Sequence, residues 1–174
     1  MRIISGTHKG RILNPPNTLP VRPTTDRAKE GLFNILDNRY FFEGKSVLDL
    51  FSGTGNIAFE FASRGCKDVL AIDQNINCTN YIQKTSNELG FNINITQANC
   101  LKYLRNCKQK FNFIFADPPY HYEEYQNIKK HIIENNLIKK DGILIIEHNK
   151  DIAFKANNIE IRKYGAVHFS MFSF

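Results

Sequence analysis

Asp117-Pro118-Pro119-Tyr120 closes the apolar run from Phe111 to Ala116, and its residue types suit the holding of a planar exocyclic amine for alkylation. The lone pair of such an NH2 is delocalised into the ring or carbonyl it is attached to. The nitrogen is therefore a weak nucleophile until acceptors grip its hydrogens and aim it at an electrophile. The Asp117 carboxylate and a backbone carbonyl can be those acceptors. Each proline fixes its own φ and steers the residue before it away from helix, which keeps the stretch extended and leaves Tyr120 to stack on a base. A strand end followed by a Pro turn would use the same residues without any chemistry, so the tetrapeptide needs support from the rest of the chain.

That support begins with the elements that would carry it. From residue 46 onward apolar runs alternate with amphipathic stretches. Strands are expected at Ser46–Phe51, Asp68–Asp73, Asn92–Gln97, Phe111–Ala116 and Gly142–Glu147, and helices at about Asn56–Arg64, up to Leu89, Leu101–Asn106 and Tyr122–Asn136. This is the pattern of a doubly wound α/β domain. Two final strands, near Ile159–Lys163 and Ala166–Phe172, are joined only by Tyr164-Gly165, too short for a crossover, so they must be antiparallel. The expected fold is a mostly parallel seven-stranded sheet that ends in an antiparallel hairpin. Before it, Arg2 to Ser5 and Arg11 to Leu13 read as a short β-hairpin, prolines enforce an extended connector, and a helix should start near Thr25 with Ala28, Leu32, Ile35 and Leu36 as its apolar stripe. The 174 residues divide into a basic appendage over 1–37 and a Rossmann-like core over 45–174 within one domain.

Open α/β sheets bind ligands beyond the carboxyl ends of their strands. Phe51-Ser52-Gly53-Thr54-Gly55-Asn56 follows the first strand, where glycines permit a tight turn and close backbone approach. With Ala58 it also matches a dinucleotide fingerprint, so a nicotinamide oxidoreductase is a competing reading. Asp73 ends the second strand 20 residues after Gly53 and can accept from ribose hydroxyls, or alternatively cap the next helix. Asn99-Cys100 follows the third strand and can meet an adenine edge or cap a helix. Asp117 to Tyr120 after the fourth strand favours methyl transfer from S-adenosyl-L-methionine, because a hydride enzyme needs a proton relay whereas this loop supplies acceptors for an amine. No metal is needed, and the four cysteines show no C-x-x-C pair.

The net charge of +6 is unevenly placed. Residues 1–29 hold six basic side chains (Arg2, Lys9, Arg11, Arg22, Arg27, Lys29) against Asp26, which is 6 − 1 = +5, while residues 30–174 hold 17 against 16. Such asymmetry suits a polyanion surface, with a solvated basic arm as the alternative. No apolar segment approaches a membrane span or a signal peptide, so the chain is expected in the cytoplasm. A domain of this size and type is expected to be a monomer.

The chain resembles the bacterial RsmD-type methyltransferases, which modify N2 of a guanine, the 966-type site, in 16S rRNA of the small ribosomal subunit. The resemblance covers Met1 to Gly6 with Lys9-Gly10-Arg11, the block from Arg22-Pro23-Thr24-Thr25-Asp26 through Lys29-Glu30-Gly31 to Leu36, and Val47 to Gly55. It continues through Asp73, Phe113 to Tyr120, Glu147 and Tyr164-Gly165. It implies that Asp49, Phe51, Gly53 and Gly55 line the methionine end of the cofactor, that Asp73 takes the ribose, and that Asp117, Pro118, Pro119 and Tyr120 hold a flipped guanine. The family usually has an acid and a small residue where this chain has Asn99-Cys100. The basic N-terminal block would close over the cofactor and face 16S rRNA within a small-subunit particle. Adenine N6 or cytosine N4 as acceptor, and a catalytically silent RNA-binding assembly factor on the same fold, are the other readings.

Overall fold

The strands at the centre of the sheet are buried along almost their whole length because helices cover both faces, as parallel sheets require. The computed structural model describes residues 1–19, 24–154 and 159–174. The elements are α1 (Asp26–Asp37), β1 (Ser46–Leu50), α2 (Asn56–Ser63), β2 (Asp68–Asp73), α3 (Ile76–Leu89), β3 (Ile93–Gln97), α4 (Cys100–Asn106), β4 (Phe111–Ala116), α5 (Tyr125–Glu134), β5 (Ile138–His148), β6 (Ile159–Tyr164) and β7 (Val167–Ser173). They form one seven-stranded sheet in the order β3-β2-β1-β4-β5-β7-β6. The first five positions are parallel, and β7 runs antiparallel to both β5 and β6.

Alternation along the strands sends Val47, Ala71, Phe113, Phe115 and Ile145 to one face, where α1, α2 and α3 cover them. Leu48, Leu50, Ile114, Leu144 and Ile146 point to the other face, under α4 and α5. Helix α1 begins where the sequence places it, with the Thr25 hydroxyl accepting from the Ala28 N–H. Its buried stripe includes Phe33 and Lys29 besides Ala28, Leu32 and Leu36, while Ile35 is half-buried. Gly31 on this helix sits where a Cβ would come 2.2 Å from the Tyr164 ring, so its lack of a side chain lets the terminal hairpin close against α1.

Three expected boundaries shift. The N-terminal hairpin is reduced to a single bridge, Arg2↔Ile12, with Ile3 N–H bonded to Arg11 O at 2.9 Å. Helix α5 starts at Tyr125, because the Tyr122 N–H turns back to Pro119 O at 2.8 Å. Strand β5 starts at Ile138, which pairs with Phe111 ahead of a register shift. The exposed Lys139-Lys140-Asp141 in that shift reads as a loop in sequence.

Lys29 corrects the expectation of an RNA-facing cation. Its side chain is 1% exposed, with Nζ donating to Arg2 O at 2.6 Å and Asn56 Oδ1 at 2.7 Å, and 3.6 Å from Glu60 Oε2. Glu60, fully buried, also accepts from Ile4 N, Ser5 N and Arg64 Nε. Burial pulls the Lys29 pKa below its ordinary value, with Glu60 opposing. Arg22 lies outside the described residues. Among the described residues, no helix is long and apolar enough to cross a membrane.

Removing one member of a buried ion pair strands its partners. Lys29→Ala should cost about 3 kcal/mol or more of folding stability, and Arg27→Ala, at an exposed site, should stay within about 0.5 kcal/mol. Denaturant unfolding of the two variants measures both; equal losses would contradict this role for Lys29.

Candidate active site

The register of the sheet builds the site. Ile72, Leu50, Ala116 and Ile146 lie in one row across β2, β1, β4 and β5, so the next residues, Asp73, Phe51, Asp117 and Glu147, emerge together at the carboxyl edge. Between β1 and α2 the chain must reverse sharply. Phe51 adopts φ 60°, uncommon for a residue with a Cβ, and its ring meets Tyr122 edge-on at 5.2 Å. Gly55 follows at φ 74°, and a Cβ there would come 2.8 Å from the Phe59 ring.

The acids of the edge have separate tasks. Asp73 accepts from Gly53 N and Asn75 N, each at 2.8 Å, and so holds the glycine turn against the end of β2. It does not cap α3; Asn75 does, accepting from Asn77 N and Cys78 N. Asp49 lies beneath the turn, 1% exposed, and accepts from Ala58 N at 3.0 Å. It supplies the acceptor that the start of α2 lacks, since Gly55 has no side chain. Asn99, predicted at the adenine edge, accepts from Lys102 N at 3.1 Å through its Oδ1 as the cap of α4, and Cys100, the first residue of that helix, is buried.

The acceptor loop is braced from below. The Tyr125 hydroxyl donates to Pro118 O at 3.2 Å, leaving that carbonyl a second lone pair. Tyr120 is half-exposed at the mouth. Burial drives the Asp117 carboxyl well above the usual carboxylate range, and the neighbouring Glu147 and then Asp49 push it further. Burial raises Glu147 to about 7, opposed by the Thr24 hydroxyl, which donates to its Oε2 at 2.8 Å. Asp49 is raised to about 8, again by burial first, with the Ala58 N–H opposing and Asp73 adding.

Glu147 and Thr24 are members of the site that motif reasoning left without a role. The signal was available: Glu147 follows the apolar run of β5, in the row that the strand ends share on this edge. The main chain at Thr24 also accepts from Asn56 Nδ2 at 3.0 Å. The segment thus touches the first residue of α2 and the end of β5, on either side of Asp117. Of the predicted basic residues, Lys9, Arg11 and Arg27 are exposed, and Arg2 is half-exposed with Asp26 at 3.9 Å.

This edge fits a cationic ligand: several carboxylates are crowded together, and two glycines with positive φ open the adjoining turn. Sheet order, the antiparallel β7 and this edge define a class I S-adenosyl-L-methionine-dependent methyltransferase fold. A family model described as Conserved hypothetical protein 95 matches residues 1–173. The chain belongs to that family, the RsmD-type methyltransferases. It is 33% identical over 157 residues to ribosomal RNA small subunit methyltransferase D of Haemophilus influenzae, covering 87% of this chain and 80% of that one. YlbH of Bacillus subtilis is 30% identical over 157 residues, covering 87% and 84%. The solved structure of yhhF from Escherichia coli superposes with a TM-score of 0.87 at 25% identity, covering 99% of this chain and 97% of that one.

The raised carboxyls give a signed pH dependence. Unfolded, Asp49 and Glu147 titrate at about 4; folded, they hold protons up to about 8 and about 7. The folded state therefore binds more protons across that window, and the stability of the ligand-free protein should fall as pH rises through it. Thermal melts at stepped pH check this, and Glu147→Gln should flatten the slope; a slope unchanged by the variant would contradict the assignment.

Proposed function

We propose that the chain transfers a methyl group from S-adenosyl-L-methionine to N2 of a guanine, at the 966-type site, in 16S rRNA of the small ribosomal subunit. The observation that carries this reading is the Asp117 loop, set between Glu147 and the glycine turn at the sheet edge. Family membership supports the rRNA substrate. When bound, the cofactor supplies an electrophilic methyl group on a sulfonium.

The residues of this chain do the rest. Gly53 and Gly55 would admit the cofactor close to the backbone, and Asp73 offers acceptors beside them for ribose hydroxyls. Asp117 and the remaining lone pair of Pro118 O would accept from the two N2 hydrogens and aim the nitrogen lone pair at the methyl carbon. Tyr120 offers a face for the base, which must leave its stack at a cost of a few kcal/mol that stacking and phosphate contacts offset. A cation beside Asp117 favours its ionised form and so counters the effect of burial. Once nitrogen gains its new bond to carbon it must lose a proton, and ionised Asp117, as the acceptor of an N2 hydrogen, would be placed to receive it. Lys9, Arg11 and Arg27 would face phosphates.

With labelled S-adenosyl-L-methionine and undermodified small-subunit particles, the labelled nucleoside should be N2-methylguanine; N6-methyladenine would favour the adenine alternative instead. Asp117→Ala should lower the rate at least about a hundredfold while cofactor affinity, read by calorimetry, changes little; full activity in the variant would remove Asp117 from the chemistry. Lys9→Ala with Arg11→Ala should reduce the salt dependence of RNA binding by about one counterion per lost contact.

A further inference from the structure

A cavity of about 620 Å³ lies between the N-terminal arm and α3, apart from the acceptor loop. Helix α3 supplies one wall. Asn77, Asn80, Tyr81, Lys84 and Glu88 fall at i, i+3, i+4, i+7 and i+11 and so share one face, while Cys78, Ile82 and Ser86 on the other side are buried. The opposing wall is Arg11 to Asn14, continued by a turn in which Leu19 N–H donates to Pro16 O at 3.1 Å. Both walls are fixed. Leu13 N–H is bonded to Met1 O at 2.9 Å, and its buried side chain belongs to the same core as Ile82 of α3. The groove starts near the cofactor edge, since Asn75 N–H at the head of α3 donates to Asp73 Oδ1 at 2.8 Å. From Asn77 to Glu88 the helix face runs roughly 16 Å.

The lining selects a chemistry. Among the described residues its charged groups are Arg11, Lys84 and Glu88, all exposed, with the two cations on opposite walls. Lys84 lies 3.9 Å from Glu88, but with side chains 77% and 59% exposed that pair is weak and yields to a stronger anion. A phosphate between the walls would meet a cation on each side. Asn14, Asn77 and Asn80 carry amides that both donate and accept, which suits ribose hydroxyls and base edges. Half-buried Tyr81 and Ile12, 65% exposed, add surface on which a base can lie. A free phosphate would use the cations alone. A strand of phosphate, ribose and base uses the whole length.

Resting on the function proposed above, we infer that this groove carries the RNA strand on one side of the methylated guanine, with a phosphate held between Arg11 and Lys84. Helix α3 thereby becomes an RNA-facing element alongside the N-terminal arm. The groove holds the strand by its backbone and sets its path, and it reads no particular base. Charge counting passes over Lys84, because residues 30–174 nearly balance at 17 basic side chains against 16 acidic. Only the fold brings it opposite Arg11. Glu88, one turn further along α3, repels the same phosphates and weakens the hold.

The test measures binding of the full chain and its variants to undermodified small-subunit particles across a salt series. Lys84→Ala should lower the slope of log affinity against log salt by about 0.7 to 0.9, the share of one phosphate contact. Lys140→Ala, at an exposed position near the start of β5 and so at the opposite edge of the sheet, should leave the slope unchanged. Glu88→Gln should tighten binding about twofold. On irradiation, Asn80→p-benzoylphenylalanine should crosslink to 16S rRNA. An unchanged slope in Lys84→Ala, or no crosslink to rRNA, including one to ribosomal protein alone, would overturn the groove as an RNA surface, and N2-methylguanine formed in the same particles would leave the proposed function standing. The expected slope and crosslink without any N2-methylguanine would overturn that function and leave the groove in place.

Discussion

The buried pair of Lys29 and Glu60 is the constraint on which the arrangement of this molecule depends. Glu60 receives the main chain of Ile4 and Ser5, the Arg64 guanidinium and the Lys29 ammonium in one dry place. Lys29 continues the chain of bonds to Asn56, at the start of the helix that leaves the glycine turn. Such groups are costly to bury and are tolerated only when each finds partners. Among the described residues, no buried side-chain nitrogen or oxygen lacks one. The N-terminal segment is thereby fixed to the glycine turn and not left as a loose basic arm.

A second constraint runs against stability. Asp49, Asp117 and Glu147 crowd one edge of a low-dielectric sheet, and burial makes ionisation of each unfavourable. A fold optimised for stability alone would not gather them. The arrangement is compensated when positive charge arrives, so the same repulsion that loads the free protein favours a cationic ligand. Asp49 shows how one residue can serve both ends, since its carboxyl also completes the start of α2.

Much of this was readable before any coordinates. The alternation of apolar runs gave every strand of the sheet, the two-residue link at Tyr164-Gly165 required an antiparallel end, and Thr25 marked the start of α1. Strand ends predicted the row that holds Asp73 and Asp117. What the sequence leaves hidden depends on contacts between distant segments. Lysine in a basic block looks exposed, and nothing local to Lys29 announces that Glu60 waits 31 positions away. Glu147 directly follows the apolar run Ile143 to Ile146, so its role emerges only when β5 is laid beside β4. Asn99 was ambiguous for a different reason: amide side chains suit ligand edges and helix starts equally, and the helix start claimed it.

The bond from the Thr24 hydroxyl to Glu147 joins residues 123 positions apart. Contacts of such separation form late, because a long loop must close before they give any return. On a ribosome, the N-terminal half of this pair is made first and the other half only after more than four fifths of the chain has been synthesised. An incomplete chain therefore has its glycine turn and basic surface but no finished wall around Asp117. Completion of the site is tied to completion of the polypeptide.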